Sequence, residues 1–356
     1  METLVANHYD FKYAVDIESV GLDYWRWLNS YKNTPGLISE IRGFHRARRP
    51  FNIVCPYEAY VGIDNQYNSL LEAVNGDADY IKNYVTVIAG SEPRKNAERY
   101  KRVVYGSFIF DWMQHDPYSV PAYNDKIPEH DFLSFNRIIR PHRLMLIAAL
   151  AHIGLLDKNL VSYTLAQLEH FPKFALDGVA CVPDERAKKI TEILAELPTE
   201  QKADPITWDS NLSVMTAPSD LYENAFYSLV TETAFFEDDP FLTEKIIKPL
   251  TYGHPFITLA PKNTLSLLQA YGFKTYSSIF DESYDTVDEG YVRFRRVIKE
   301  VVRIANLTQE DKAHLFASAR EIGEHNSAHF KKNVKQIIEM SSNINEHLDI
   351  KNKVLR

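Results

Sequence analysis

Between Asn224 and Asp285 short apolar runs alternate with helical patterns, and that alternation constrains the fold more than any other feature of the chain. Ala225 to Val230 is a mostly apolar run that ends in Thr231-Glu232-Thr233. After the acidic loop Glu237-Asp238-Asp239-Pro240, Thr243-Glu244 opens a helical segment that carries Lys245 and Lys248 and stops at Gly253. His254-Pro255 leads into a second apolar run, Phe256 to Leu259, and a second helical pattern spans Thr264 to Ala270 and stops at Gly272. Phe273 to Phe280 reads as a third strand, ended by Asp281-Glu282-Ser283-Tyr284-Asp285. Strand, helix, strand, helix, strand is the signature of a parallel α/β sheet, because parallel neighbours need a crossover connection. Ligands of such sheets sit at the carboxyl ends of the strands. Glu232, Thr233 and residues 281–285 are therefore the first places to look for chemistry.

The first half repeats the pattern more weakly. Phe51 to Cys55, Val85 to Ala89 and Val103 to Phe110 read as strands, with a helical stretch from Tyr67 to Val74. Polar residues just past these runs, Glu58, Asp64, Glu92 and Asp111, are candidates for the wall of a site, and Glu58 is the preferred catalytic base. Asp77-Ala-Asp79 has the spacing of a carboxylate pair that holds a divalent cation, but it follows Asn75-Gly76 and reads as an ordinary turn. The basic run Arg42 to Arg49 is either a solvated loop or an acceptor- or phosphate-binding edge. From Asp288 the pattern is helical to the end. His325 and His329 share a helix face beside Glu321 and Glu324, but Asn326 stands where a zinc-protease motif needs glutamate. These segments imply an α/β chain with domains at 1–155 and 156–310 and a helical tail at 311–356.

Two stretches carry anion-binding chemistry. Arg140-Pro-His142-Arg143 starts an apolar helix with proline in its first turn. Free N–H groups, the helix dipole and the guanidinium groups would all favour phosphate there, although the same residues suit a salt-bridge cluster between domains. At Thr243-Glu244-Lys245 the threonine can cap the helix and touch a phosphate oxygen, and the lysine adds charge to the N–H cradle. Glu232, at the preceding strand end, can accept hydrogen bonds from sugar hydroxyls. The alternative is a plain cap followed by a solvated helical face.

Composition bounds the function. A chain of 356 residues with 45% hydrophobic and 25% charged residues builds ordinary globular domains. A formal charge of −8 disfavours a surface that coats nucleic acid as a whole, though not a local basic patch. Two distant cysteines, Cys55 and Cys181, suit a reducing, cytoplasmic setting, which would be the host cytoplasm for a viral protein. No apolar run approaches the ~20 residues that span a bilayer, and the start lacks the pattern of a signal peptide.

Ser228-Leu-Val-Thr-Glu-Thr233, Phe241-Leu-Thr-Glu-Lys245 with Lys248-Pro249, and Gly253-His-Pro-Phe256 together resemble the donor-binding half of fucosyltransferase-like glycosyltransferases of the GT-B type. With Gly272-Phe-Lys-Thr, residues 281–285 and Arg140-Pro-His-Arg143, the pattern is also similar to a group of bacteriophage glycosyltransferase-like proteins. The resemblance implies two Rossmann-like domains facing a cleft, with C-terminal helices. It implies a donor nucleotide on the later domain, held by Arg140, His142, Arg143, Glu232, Thr233, Thr243, Glu244, Lys245 and Lys248, and no metal or cofactor. It also implies transfer of a hexosyl or pentosyl group to a surface glycan or a hydroxymethylated DNA base. Where the family carries Glu-Asn at the first strand end this chain has Glu232-Thr233, which leaves the base and sugar open. A non-catalytic protein that keeps the nucleotide-sugar fold, such as a virion assembly component, is the alternative.

Overall fold

The computed structural model describes residues 2–5, 35–55, 67–89, 96–105, 127–136, 138–166, 184–201, 203, 219–237 and 240–332. The chain divides into two compact units, Met1–Gln114 with Lys335–Arg356 and His115–Val334.

The first unit holds a parallel sheet of β1 (Glu2–Val5), β2 (Phe51–Cys55), β3 (Val85–Ala89) and β4 (Arg102–Tyr105), in chain order across the sheet. Helices α1 (Pro35–Arg46), α2 (Tyr67–Ala73) and α3 (Ala78–Tyr84) lie between these strands in sequence. Phe51, Ile53, Val85 and Val87 of the sheet pack with Leu70, Tyr80 and Ile81 of the helices. Among the described strands the order does not reverse as it does in a doubly wound sheet. Asp77 behaves as the turn chemistry predicts. Its carboxylate caps α3 by accepting from the Tyr80 N–H at 2.8 Å, and it pairs with His45 at 3.0 Å and Arg48 at 2.8 Å. The exposed residues Arg42, Arg46, Arg48 and Arg49 come just before β2, and so lie at the amino edge of the sheet.

The second unit is built on β5 (His130–Asn136), β6 (Leu160–Thr164), β7 (Glu200–Gln201), β8 (Ala225–Thr231) and β9 (Phe256–Leu259), in the order β7-β6-β5-β8-β9. All neighbours are parallel except β6 and the edge strand β7. Counted along the chain, this is the order 3-2-1-4-5 of a doubly wound sheet. Every residue of β8 is buried, as expected for a strand covered on both faces. Helix α4 (Pro141–His152) follows β5, and its run from His142 to Ala148 is buried without a break, so it lies in the core. Next come α5 (Asp184–Ala195) and α6 (Ser219–Glu223), then α7 (Glu244–Tyr252) between β8 and β9, and α8 (Thr264–Ala270) after β9.

Two expectations are corrected. The domain division at 155 fails because β5 and α4, which precede it, belong to the second sheet, where β5 pairs with β8. Residues 273–280 form turns, not a strand, because their N–H groups are committed elsewhere. Phe273 donates to Leu268, Lys274 to the Asn326 side chain, Tyr276 to Glu282, and both Ile279 and Phe280 to Tyr276.

The expected C-terminal helices are present up to residue 332, and residues 333–356 of the expected helical tail lie outside the described residues. The helices are α9 (Gly290–Ala305), α10 (Gln309–Ala317) and α11 (319–332). Helix α11 docks largely through polar side chains. His325 and His329 bond the Gly272 and Tyr271 carbonyls at 3.2 and 2.8 Å, at the end of α8. Asn326 both donates to and accepts from the backbone of Lys274, and Ser327 donates to Thr251. Among the described residues no group of three or more His, Cys, Asp or Glu gathers as a metal set. No described helix is long and apolar enough to cross a membrane.

Gly253 ends α7 in the left-handed region at φ 68°, and a Cβ there would meet the Gly323 carbonyl oxygen at 2.6 Å. Gly154, at φ 71°, has open space around it. Gly154→Ala should therefore cost about 1 kcal/mol of backbone strain, and Gly253→Ala clearly more, because the two helices must also separate. Urea unfolding of the two variants checks the difference.

Candidate functional site

The strand order reverses between β5 and β8, and this switch point is where an open α/β sheet receives a ligand. Backbone pairing between the two strands ends at Leu133 and Ser228, yet β5 continues to Asn136 and β8 to Thr231. Side chains bridge the gap. The Ser134 hydroxyl donates to the Leu229 carbonyl at 2.8 Å, the Asn136 amide to Ser134 at 3.1 Å, and the Thr231 hydroxyl to Asn136 at 2.9 Å. The residues that line a small hollow here include Ser134, Phe135, Ser228, Thr231, Lys245 and Pro249.

Just past β8, Glu232 is fully buried. Its carboxylate accepts from the Thr243 N–H at 3.2 Å, the Thr243 hydroxyl, and the Thr233 N–H at 3.3 Å. Burial pushes the Glu232 carboxyl above its usual range, while Lys245 and the bonds from Thr243 pull the other way. The tip of α7 thus already holds an anion, supplied by the chain. Thr243 is 4% exposed and spends both donors on Glu232, which corrects the expectation that it grips a phosphate. Glu232 is likewise not turned to a sugar hydroxyl.

Lys245 stands beside this cap. Its ammonium donates to Glu244 and, at 3.3 Å each, to the Thr233 and Thr243 hydroxyls. The side chains of Lys245 and Glu244 keep 15% and 25% exposure. Burial works against ionised Glu244, but Lys245 outweighs it and holds the carboxyl below its usual range.

The start of α4 is spent in the same way. His142 and Arg143 are buried, and both reach the end of β8. The His142 Nε2 bonds the Glu232 carbonyl at 2.9 Å while the ring stacks on Phe235. Burial, then Arg143, drive the His142 pKa far down, so the ring is neutral and its Nε2–H is the donor. Arg143 donates to the carbonyls of Ile138 and Thr231 at 3.0 Å and of Glu232 at 3.2 Å. These two residues bolt α4 to β8 and do not face a phosphate. Arg140, the residue before Pro141, is exposed. Lys248 is buried with its ammonium over the Tyr252 ring, which removes it from the expected donor set.

The acidic run 281–285 is structural too. Asp285 accepts from the Leu265 and Ser266 N–H groups at the start of α8, and Asp281 from Ser283. Sequence reasoning missed Arg293, which donates to the carbonyls of Ala260 at 3.1 Å, of Val287 at 2.6 Å, and of Phe235. It ties together the chain just past β8 and β9. Its one signal was a charge beside Phe294 on the helix's apolar side. Glu58, like Asp64, Glu92 and Asp111, lies outside the described residues.

Of the expected donor residues, the carboxyl edge thus leaves Arg140, Thr233, Glu244 and Lys245 with surface open to a ligand: two cations, a hydroxyl and an ionised carboxylate. That set can hold an anionic group with hydroxyls attached. Compared with models of known protein families and with curated proteins, the chain gives no match.

Glu232→Ala should cost about 2 kcal/mol or more, by stranding the Thr243 and Thr233 donors, whereas Glu232→Gln keeps an acceptor and costs less. Chemical unfolding compares the two. A second test uses Glu282, whose carboxyl accepts from the Tyr276 N–H at 2.7 Å and is raised by burial to about 7 from 4.5. A carboxyl raised in the folded state favours folding while protonated. Its contribution is full below about pH 4.5 and is lost as pH rises to about 7. Glu282→Gln should flatten that decline when unfolding midpoints are followed across this window.

Proposed function

We propose that this chain is a glycosyltransferase of the GT-B kind, which binds a nucleotide-diphosphate sugar at the β5–β8 switch point of its second unit. The observation that carries the reading is the strand reversal with Lys245 beside it. On this reading Lys245 and Arg140 neutralise the diphosphate, Thr233 donates to a phosphate oxygen, and Glu244 accepts from a sugar hydroxyl. Glu232, Thr243, His142 and Arg143 hold the edge in place and do not touch the donor. The two units are then the two lobes of the enzyme, with the acceptor on the first.

In the reaction an acceptor hydroxyl attacks the anomeric carbon. The new C–O bond forms as the bond to the diphosphate breaks, and a carboxylate takes the hydroxyl proton if the configuration inverts. Positive charge at the leaving diphosphate lowers the barrier, because it acts where negative charge develops. On the same resemblance the acceptor is a surface glycan or a hydroxymethylated DNA base.

One observation favours a second reading, a binding protein without transferase activity. Glu232 occupies the helix tip at which a donor phosphate would gain most. Thermal shift against a panel of nucleotide-sugars separates the outcomes. A matching donor at 100 times its Kd should stabilise the fold by about 2.7 kcal/mol, and Lys245→Ala should remove that shift when it is read against the variant's own unliganded melting temperature, which falls because Glu232 and Glu244 lose their counter-charge. Binding without sugar transfer or hydrolysis would support the second reading. If no nucleotide-sugar shifts the melting temperature, both readings fall.

A further inference from the structure

Helix α9 has two contrasting sides. Phe294, Val297, Val301 and Ile304 are buried against the sheet unit, whereas Val292, Arg295, Arg296, Lys299 and Arg303 are exposed. At 3.6 residues per turn these five exposed positions fall within an arc of about 100°. The one acid within the helix, Glu300, is buried and bonds Arg303. Exposed residues of the following helices mix signs, with Glu310, Asp311, Glu321 and Glu324 beside Arg320. A single-sign row on a chain of formal charge −8 is therefore a local departure.

The cations of the row are not equally engaged. Arg303 shares its guanidinium with Glu300 and the Ile279 carbonyl, and Arg296 donates to Ser283. Asp281 lies within the field of Lys299 and Arg296. Arg295 forms no hydrogen bond or ion pair among the described residues.

We propose that the outer face of α9 docks the phosphate backbone of a nucleic acid. Arg295, Lys299 and Arg303 succeed one another at about 6 Å per step, at 1.5 Å rise per residue. The row from Arg295 to Arg303 thus spans about 12 Å, the axial length of roughly three to four phosphates on one strand. A membrane surface fits less well, because an interfacial helix must bury its apolar side in lipid and the apolar side of α9 is already in the core. Base-edge chemistry is not implied: a row of cations reads charge and not sequence.

This inference does not rest on the donor site, and the test separates the two. Fluorescence anisotropy of the full chain with a labelled 20-base-pair duplex at low salt should show binding. Its log–log salt dependence should have a slope near −3, for about three phosphate contacts. The exposed pair Arg295→Glu with Lys299→Glu should weaken binding at least tenfold and reduce the slope by about 2, with an unchanged circular dichroism spectrum. A control pair on α5, Lys188→Glu with Lys189→Glu, and the site variant Lys245→Ala should both bind like wild type. The inference is overturned if wild type binds no duplex at low salt, if the α9 pair binds as tightly as wild type, or if anionic phosphatidylserine vesicles are bound and the duplex is not.

Discussion

Every polar group of Glu232 is used, and each use joins a different element. Its N–H donates to Leu259 at the end of β9 at 2.9 Å. Its carbonyl accepts from His142 and Arg143 of α4. Its carboxylate closes the tip of α7 through Thr243. A carboxylate without solvent exposure loses its hydration, a cost that is tolerable only when donors replace the water and a positive charge stands near. Thr243, Thr233, the start of α7 and Lys245 supply both. The carboxyl edge of the second sheet therefore meets at one residue just past β8, whose backbone serves β9 and α4 and whose side chain serves α7.

The same device recurs along that edge. Asp285 occupies the start of α8 as Glu232 occupies the start of α7. Arg293 does the converse job, taking carbonyls of residues past β8 and β9 that would otherwise be buried without donors. An edge that satisfies itself is rigid, and it also competes with a ligand for the same groups. This competition moves any anion contact from the helix tip to the partly exposed side chains beside it, Lys245, Thr233 and Arg140. Such a contact would be weaker than a full N–H cradle and more dependent on side-chain placement.

Much of the fold was legible as strand and helix. The runs that became β2, β3, β8 and β9 and the helices α7, α8 and α9 stood out because each is locally apolar or locally periodic. β5 did not, although it is central. His130-Asp-Phe-Leu-Ser-Phe-Asn136 has too few consecutive apolar residues to show above its surroundings, because its polar side chains bond within the fold: Ser134 and Asn136 bridge to β8, and Asp131 pairs with the buried Lys312. Missing β5 misplaced the domain division and hid the strand reversal. At residues 273–280 the error ran the other way, since apolar alternation there reflects burial of turn residues whose N–H groups are already committed. Side-chain roles were the least legible, because an arginine that holds carbonyls and one that faces water look alike in a sequence.

That last ambiguity decides how the charge of the chain should be read. Arg143, Lys248, Arg293 and Lys312 are all buried. Their charge is spent on carbonyls, a ring face or a single carboxylate, and contributes little field beyond the surface. The cations that an outside anion can meet are those with open surface, and in the second unit these include Arg140 and Lys245 at the switch point and the row along α9. Screening limits their reach to about 8–10 Å at physiological salt. A net charge of −8 therefore says little about which anions the protein binds. Affinity for a polyanion would depend on cations standing within that distance of their neighbours, and four of them do so in a row along one face of a single helix.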